Sequence, residues 1–228
     1  MNKTKKRPDF YIIIITFFLL MVGIIMVFSA SSYMALVRYQ NSYYFLTKQL
    51  TYAAIGLFLF LVIAHIDYHI YQKKMRFILF LTILFLLLAY IPGLSKEING
   101  ASRWLSIGSF TIQPSEFAKI GLIIYTATIM VKKQPHLNSF MRSTIPPLII
   151  IGLTSILILM QPHYSATLII ILICITIMFC AGTKIRHLLL LATTGIPVLI
   201  TTLYLADYRI NRLKTIFDTS NNMLDEKY

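Results

Sequence analysis

Phe10-Tyr11-Ile12-Ile13-Ile14-Ile15-Thr16-Phe17-Phe18-Leu19-Leu20-Met21-Val22-Gly23-Ile24-Ile25-Met26-Val27-Phe28 opens an apolar run that continues to residue 32 without a charge. A helix needs about 20 such residues to cross roughly 30 Å of hydrocarbon. The run exceeds a signal-peptide core and closes on no small-residue cleavage site, so it reads as a retained first span. Six further apolar runs follow, at residues 49–66, 75–92, 114–131, 144–161, 164–181 and 188–206. Short polar connections between them leave no room for a soluble domain. The expected fold is an all-α, polytopic membrane bundle of about seven transmembrane helices, with residues 1–228 forming a single membrane domain.

Composition agrees, because 57% hydrophobic and 13% charged residues do not describe an ordinary soluble domain. The charges that remain are ordered along the chain. Lys3, Lys5, Lys6 and Arg7 precede the first run, and alternate connections carry Lys73, Lys74 and Arg76, then Lys132, Lys133 and Arg142, then Lys184 and Arg186. Basic connections stay on the cytoplasmic side, which places the N-terminus inside. The net charge of +13 is accounted for by this topology and by anionic lipid headgroups, without nucleic acid. Cys174 and Cys180 have no metal or redox spacing and read as small hydrophobic residues.

Charge on the outward connections runs against that rule, and charge there needs a reason. The segment Asn99-Gly100-Ala101-Ser102-Arg103-Trp104 leads through Gln113-Pro114-Ser115-Glu116-Phe117-Ala118-Lys119 into the fourth run. Pro114 suits a first helical position, where a missing N–H costs nothing. Glu116 then falls in the first turn, with Lys119 three residues on along the same face. Those two either neutralise one another or contact a charged substrate. Trp104 is either an interface anchor or part of a cleft.

After the seventh run, Tyr208-Arg209-Ile210-Asn211-Arg212-Leu213-Lys214-Thr215-Ile216-Phe217 reads as an amphipathic helix on the outer surface. Arg209 and Arg212 would face either ordinary anionic lipid or a pyrophosphate headgroup, which guanidinium binds through paired hydrogen bonds. Pro197 should kink the seventh helix or open its hydrogen-bond ladder. His163, in the tight turn Gln161-Pro162-His163-Tyr164-Ser165, reads as a polar interfacial residue.

Arg7-Pro8-Asp9, Met26-Val27-Phe28-Ser29-Ala30-Ser31, the Asn99–Trp104 and Gln113–Lys119 segments and Tyr208–Leu213 together resemble the SEDS family (shape, elongation, division and sporulation: FtsW, RodA and SpoVE) in order and spacing. The opening run and the tripeptide before Arg103 are most similar to the sporulation branch, SpoVE. The resemblance implies a multi-pass protein of the bacterial cytoplasmic membrane that polymerises lipid II, the undecaprenyl-pyrophosphate-linked disaccharide, into peptidoglycan glycan strands. It implies substrate-binding roles for Arg103, Trp104, Glu116, Lys119, Arg209 and Arg212, and a class B penicillin-binding protein, a transpeptidase, as partner. It leaves open a divalent cation such as Mg2+ or Mn2+ at the leaving pyrophosphate.

The resemblance also carries departures. The family continues through a large outer loop and about three further helices, and the carboxylate proposed as its base lies in that loop. That carboxylate is expected beyond Tyr228, so no catalytic residue is assigned here and catalysis by these 228 residues alone is not expected. Where the family has Gln-Pro-Asp and a glycine two residues later, this chain has Gln161-Pro162-His163 and Ser165. Two other readings stand beside polymerisation: a lipid II transporter, and a non-catalytic membrane partner of the transpeptidase. Transport needs a polar route through the bilayer, and the spans hold almost no ionisable residues at mid-depth.

Overall fold

Each of the seven apolar runs carries a helix in the computed structural model, which describes residues 9–91, 93–98, 101–107, 110–161 and 163–204. Helix α1 is Phe10–Tyr39, α2 Tyr44–Ala64, α3 the short Tyr68–Lys73, and α4 Met75–Leu88. Strands β1 Ser95–Ile98, β2 Ala101–Ile107 and β3 Phe110–Ile112 follow, then α5 Pro114–Lys132, α6 Ile145–Met160, α7 Tyr164–Cys180 and α8 Ile185–Tyr204. A 3-10 turn at Gln134–His136 and a π-helical turn at Phe140–Thr144 lead into α6. By length and composition, Phe10–Tyr39, Tyr44–Ala64 and Phe140–Met160 suffice to cross a bilayer, and the other apolar helices are shorter. The chain divides into two compact units, up to Ile70 and from Tyr71 onward.

The first unit is the hairpin of α1 and α2. Asp9 caps α1 by accepting a 2.9 Å hydrogen bond from the Tyr11 N–H, which places a carboxylate at the positive end of the helix. The helix runs seven residues past the apolar run because Tyr33 to Tyr39 contain neither proline nor glycine. It stops at Gln40, whose φ of 54° is left-handed. Asn41 then accepts from the Tyr43 N–H at 2.9 Å, a side-chain turn that starts α2 directly. Phe28 stacks on Tyr43 and Tyr39 on Tyr44, so aromatic faces join the two helices near the elbow.

In the second unit α5 is central, packing against α4, α6, α7 and β2. Its buried face is rich in small residues, Ser115, Ala118, Gly121, Thr126 and Thr128. Such residues let helix backbones approach closely where lipid supplies no hydrophobic drive. Around them pack Leu86, Leu122, Ile151, Ile158, Ile170 and Met178. Two polar bonds to sulfur lie inside: the Thr126 hydroxyl donates to the Cys174 Sγ at 3.6 Å and the Thr183 hydroxyl to the Met130 Sδ at 3.8 Å. Cys174 is buried and Cys180 exposed, and both are free thiols.

Short connections make α5 to α8 antiparallel to their neighbours, which sorts the charges by end. Lys132, Lys133, Arg142, Lys184 and Arg186 share one end of this unit, with Leu137 against Gly182 and Phe140 edge-on to His187. The sheet, Glu116 and Lys119 occupy the other. Two details differ from expectation, the end of α4 and the segment before α5. Helix α4 ends at Leu88 instead of residue 92, since Pro92 follows and Gly93 takes a φ of 92°. Pro197 lies inside α8, where it leaves the ladder one N–H short, and the Tyr164 hydroxyl of α7 donates to the Leu199 carbonyl beyond it at 2.9 Å. The segment before α5, read from sequence only as a polar loop, is a three-stranded antiparallel sheet in the order β1-β2-β3.

Candidate functional site

The sheet turns the polar connection into a built cap. In β1 and β2, Ser95 pairs with Leu105, Lys96 with Trp104, Glu97 with Ser102 and Ile98 with Ala101. One step along β1 between Lys96 and Glu97 answers two along β2, so the register passes over Arg103 and makes it the bulge residue. A bulge sharpens local twist and re-aims its strand. Strand β3 pairs Ile112 with Leu105, Thr111 with Ser106 and Phe110 with Ile107. Leu105 is buried and Trp104 half-buried, and β2 packs against α5.

Helix α5 begins directly after β3. Gln113 is extended, Pro114 takes the first helical position, and the Glu116 N–H donates to the Gln113 carbonyl at 3.1 Å. The Glu116 carboxylate meets the Lys119 ammonium at 2.7 Å. Glu116 is exposed, while Lys119 retains 23% of its side-chain accessibility. Screening leaves such a pair about 0.3–0.5 kcal/mol of helix stability, so its main effect is to hold Lys119 in one orientation. Phe117 stacks on Phe85 of α4 with centroids 5.5 Å apart. Ser115 is fully buried and its hydroxyl has no hydrogen-bond partner among the described residues.

Three hydrogen bonds that sequence reasoning missed lock this end together. Gln161, buried at the end of α6, donates through Nε2 to the Leu86 carbonyl at 3.0 Å, satisfying a carbonyl in the last turn of α4. The Tyr90 hydroxyl donates to the Leu157 carbonyl. Gln113 is hydrogen-bonded to His163 in the α6–α7 turn. Nothing local marks these partners, which lie 75, 67 and 50 residues apart. The sheet did carry a signal: Asn99-Gly100 is a strong short-range hairpin dipeptide.

Of the expected site residues, Arg103 and Trp104 fall on β2, which packs on α5, and Glu116 and Lys119 on the first turns of α5. Arg209 and Arg212, with the amphipathic helix expected around them, lie outside the described residues. Among the described residues no group of three His, Cys, Asp or Glu comes together.

An apolar helical bundle, capped at one end by a sheet over a charged helix start, defines an integral membrane protein with a polar site at the membrane surface. The chain belongs to the FtsW, RodA and SpoVE family of cell cycle proteins, whose family model matches residues 10–228. It is 33% identical over 213 residues to stage V sporulation protein E of Bacillus subtilis strain 168, covering 93% of this chain and 58% of that protein. It is 35% identical over 211 residues to a probable peptidoglycan glycosyltransferase FtsW of Geobacter sp. strain M18, covering 92% and 57%. The chain therefore spans somewhat over half the length of these relatives.

Solved structures show the same fold. One, of a peptidoglycan synthase complex described for its coordination of polymerization and crosslinking, superposes with a TM-score of 0.65 at 21% identity, over 89% of this chain and 60% of that one. The rod shape determining protein RodA of Thermus thermophilus superposes with a TM-score of 0.61 at 22% identity, over 80% and 58%.

Proposed function

We propose that the protein to which this chain belongs is a peptidoglycan glycosyltransferase that polymerises lipid II at the outer face of the bacterial cytoplasmic membrane. The observation that carries the reading is the pairing of Glu116 with Lys119 at 2.7 Å in the first turns of α5, beside the strand that bears Arg103 and Trp104. The similarity to a probable FtsW glycosyltransferase supports it.

In that reaction a sugar hydroxyl attacks the anomeric carbon of a second lipid-linked disaccharide and the lipid pyrophosphate leaves. Positive charge fixed in advance where the leaving group gains negative charge lowers the barrier. Lys119 and Arg103 are suited to that task, as are Arg209 and Arg212 after the seventh run. Glu116 holds Lys119 in place, and Trp104 offers an apolar face to sugar or lipid. No residue of this chain is assigned as the base. A class B penicillin-binding protein, supplying crosslinking, is the proposed partner.

The test is polymerisation of labelled lipid II by the full-length protein and its variants. Correctly folded Arg103→Ala or Trp104→Ala protein that polymerises at the wild-type rate would remove those residues from the site. Lipid II flipping in liposomes without polymerisation would favour transport, and co-purification with the transpeptidase without either activity would favour a non-catalytic partner.

A further inference from the structure

At the elbow of the first unit two cations stand where the topology rule disfavours them, with nothing in the proposed reaction to account for them. Arg38 lies in the last turn of α1 and Lys48 in the second turn of α2, on the side of the membrane away from the basic N-terminus. Both are exposed. The sequence holds no Asp or Glu between Asp9 and Asp67, and neither cation has a carboxylate partner among the described residues.

Both charges lie against one aromatic cluster. The Arg38 guanidinium lies 5.9 Å from the Tyr39 ring centroid and the Lys48 ammonium 4.6 Å from that of Tyr44. Tyr39 and Tyr44 stack on one another at 3.9 Å, with Phe45 edge-on to both. Cation and ring attract through the ring quadrupole, so each cation is drawn to one ring of the stack. The left-handed Gln40 and the Asn41 turn hold the stack's two helices at a set spacing. A positively charged surface without a counter-ion raises the local concentration of anions.

We infer that this elbow binds the phosphodiester headgroup of an anionic phospholipid in the leaflet it reaches. Depth argues for a lipid. Lys48 is four residues into α2, about 6 Å along the helix from Tyr44, beside tyrosines of the kind that sit at headgroup level. A soluble polymer would meet the tip of the elbow at Gln40 to Tyr43 before reaching Lys48.

The full-length protein in nanodiscs of phosphatidylcholine, with and without phosphatidylglycerol, provides the test, with retained phosphatidylglycerol counted by native mass spectrometry. The double variant R38Q/K48Q should melt like wild type in phosphatidylcholine alone and retain less phosphatidylglycerol, about fivefold less per cation. The charge-keeping R38K/K48R pair should retain it; if R38Q/K48Q does not fold, loss of retention by this pair overturns the inference. Equal retention by wild type and R38Q/K48Q also overturns it, as does an equal loss in R142Q, at a different basic surface. Unchanged phosphatidylglycerol retention with lost binding of soluble glycan strands would make the elbow a polysaccharide surface instead.

Discussion

Gly121 of α5 lies so close to Thr82 of α4 that a Cβ on the glycine would stand 2.0 Å from the threonine hydroxyl. That hydroxyl is already held, donating to the Ile78 carbonyl at 2.9 Å. Gly121→Ala therefore forces Thr82 off its bond or the helices apart, at a cost of about 1–3 kcal/mol. Thermal unfolding of the detergent-solubilised protein should show the loss, and Thr82→Ala should restore part of it in the double variant, because the two sites share one contact.

Gln161 ties α6 to α4 one turn beyond Thr82. Replacing it by leucine removes the donor to the buried Leu86 carbonyl and should cost about 1–3 kcal/mol. Hydrogen exchange should quicken in the last turn of α4 and leave the far end of α5 unchanged; equal exchange throughout would mean that Gln161 does not hold that end.

Ser115 makes the opposite case. Its buried hydroxyl has no partner among the described residues, so Ser115→Ala should leave the melting temperature unchanged or raise it. Slower lipid II polymerisation at undiminished stability would then mean that the buried hydroxyl acts through the neighbours it packs against, since it has no exposed surface of its own.

For the ion pair, stability and activity should separate. Lys119→Met should change stability by no more than about 0.5 kcal/mol, since Glu116 is exposed and the pair is screened. Polymerisation by the full-length protein should fall about 10- to 100-fold if Lys119 donates a charged hydrogen bond to the leaving group. An unchanged rate would reduce the pair to a surface feature of the helix.

A helix in each of the seven apolar runs was legible, and the short α3 was not, because an apolar run of sufficient length announces by itself a segment that satisfies every backbone N–H and C=O internally. The Glu116–Lys119 pair was legible for the same reason, since spacing along one helix brings its members together. The boundaries of α1, α2 and α4 were less so. They depend on Gln40, Asn41 and Gly93, whose backbone geometry is not set by hydrophobicity.

The sequence alone determined an apolar helical bundle with its charges sorted by end, because hydration penalties act residue by residue. Tertiary structure decided which polar groups meet. Gln113 finds His163, Gln161 finds Leu86 and Tyr90 finds Leu157 only once four helices converge. Likewise, only strand pairing makes Arg103 the bulge beside Trp104. Those partners are distant in the chain, and what brings them together is close packing around Gly121 and its small neighbours, a fit of shapes that no local pattern encodes.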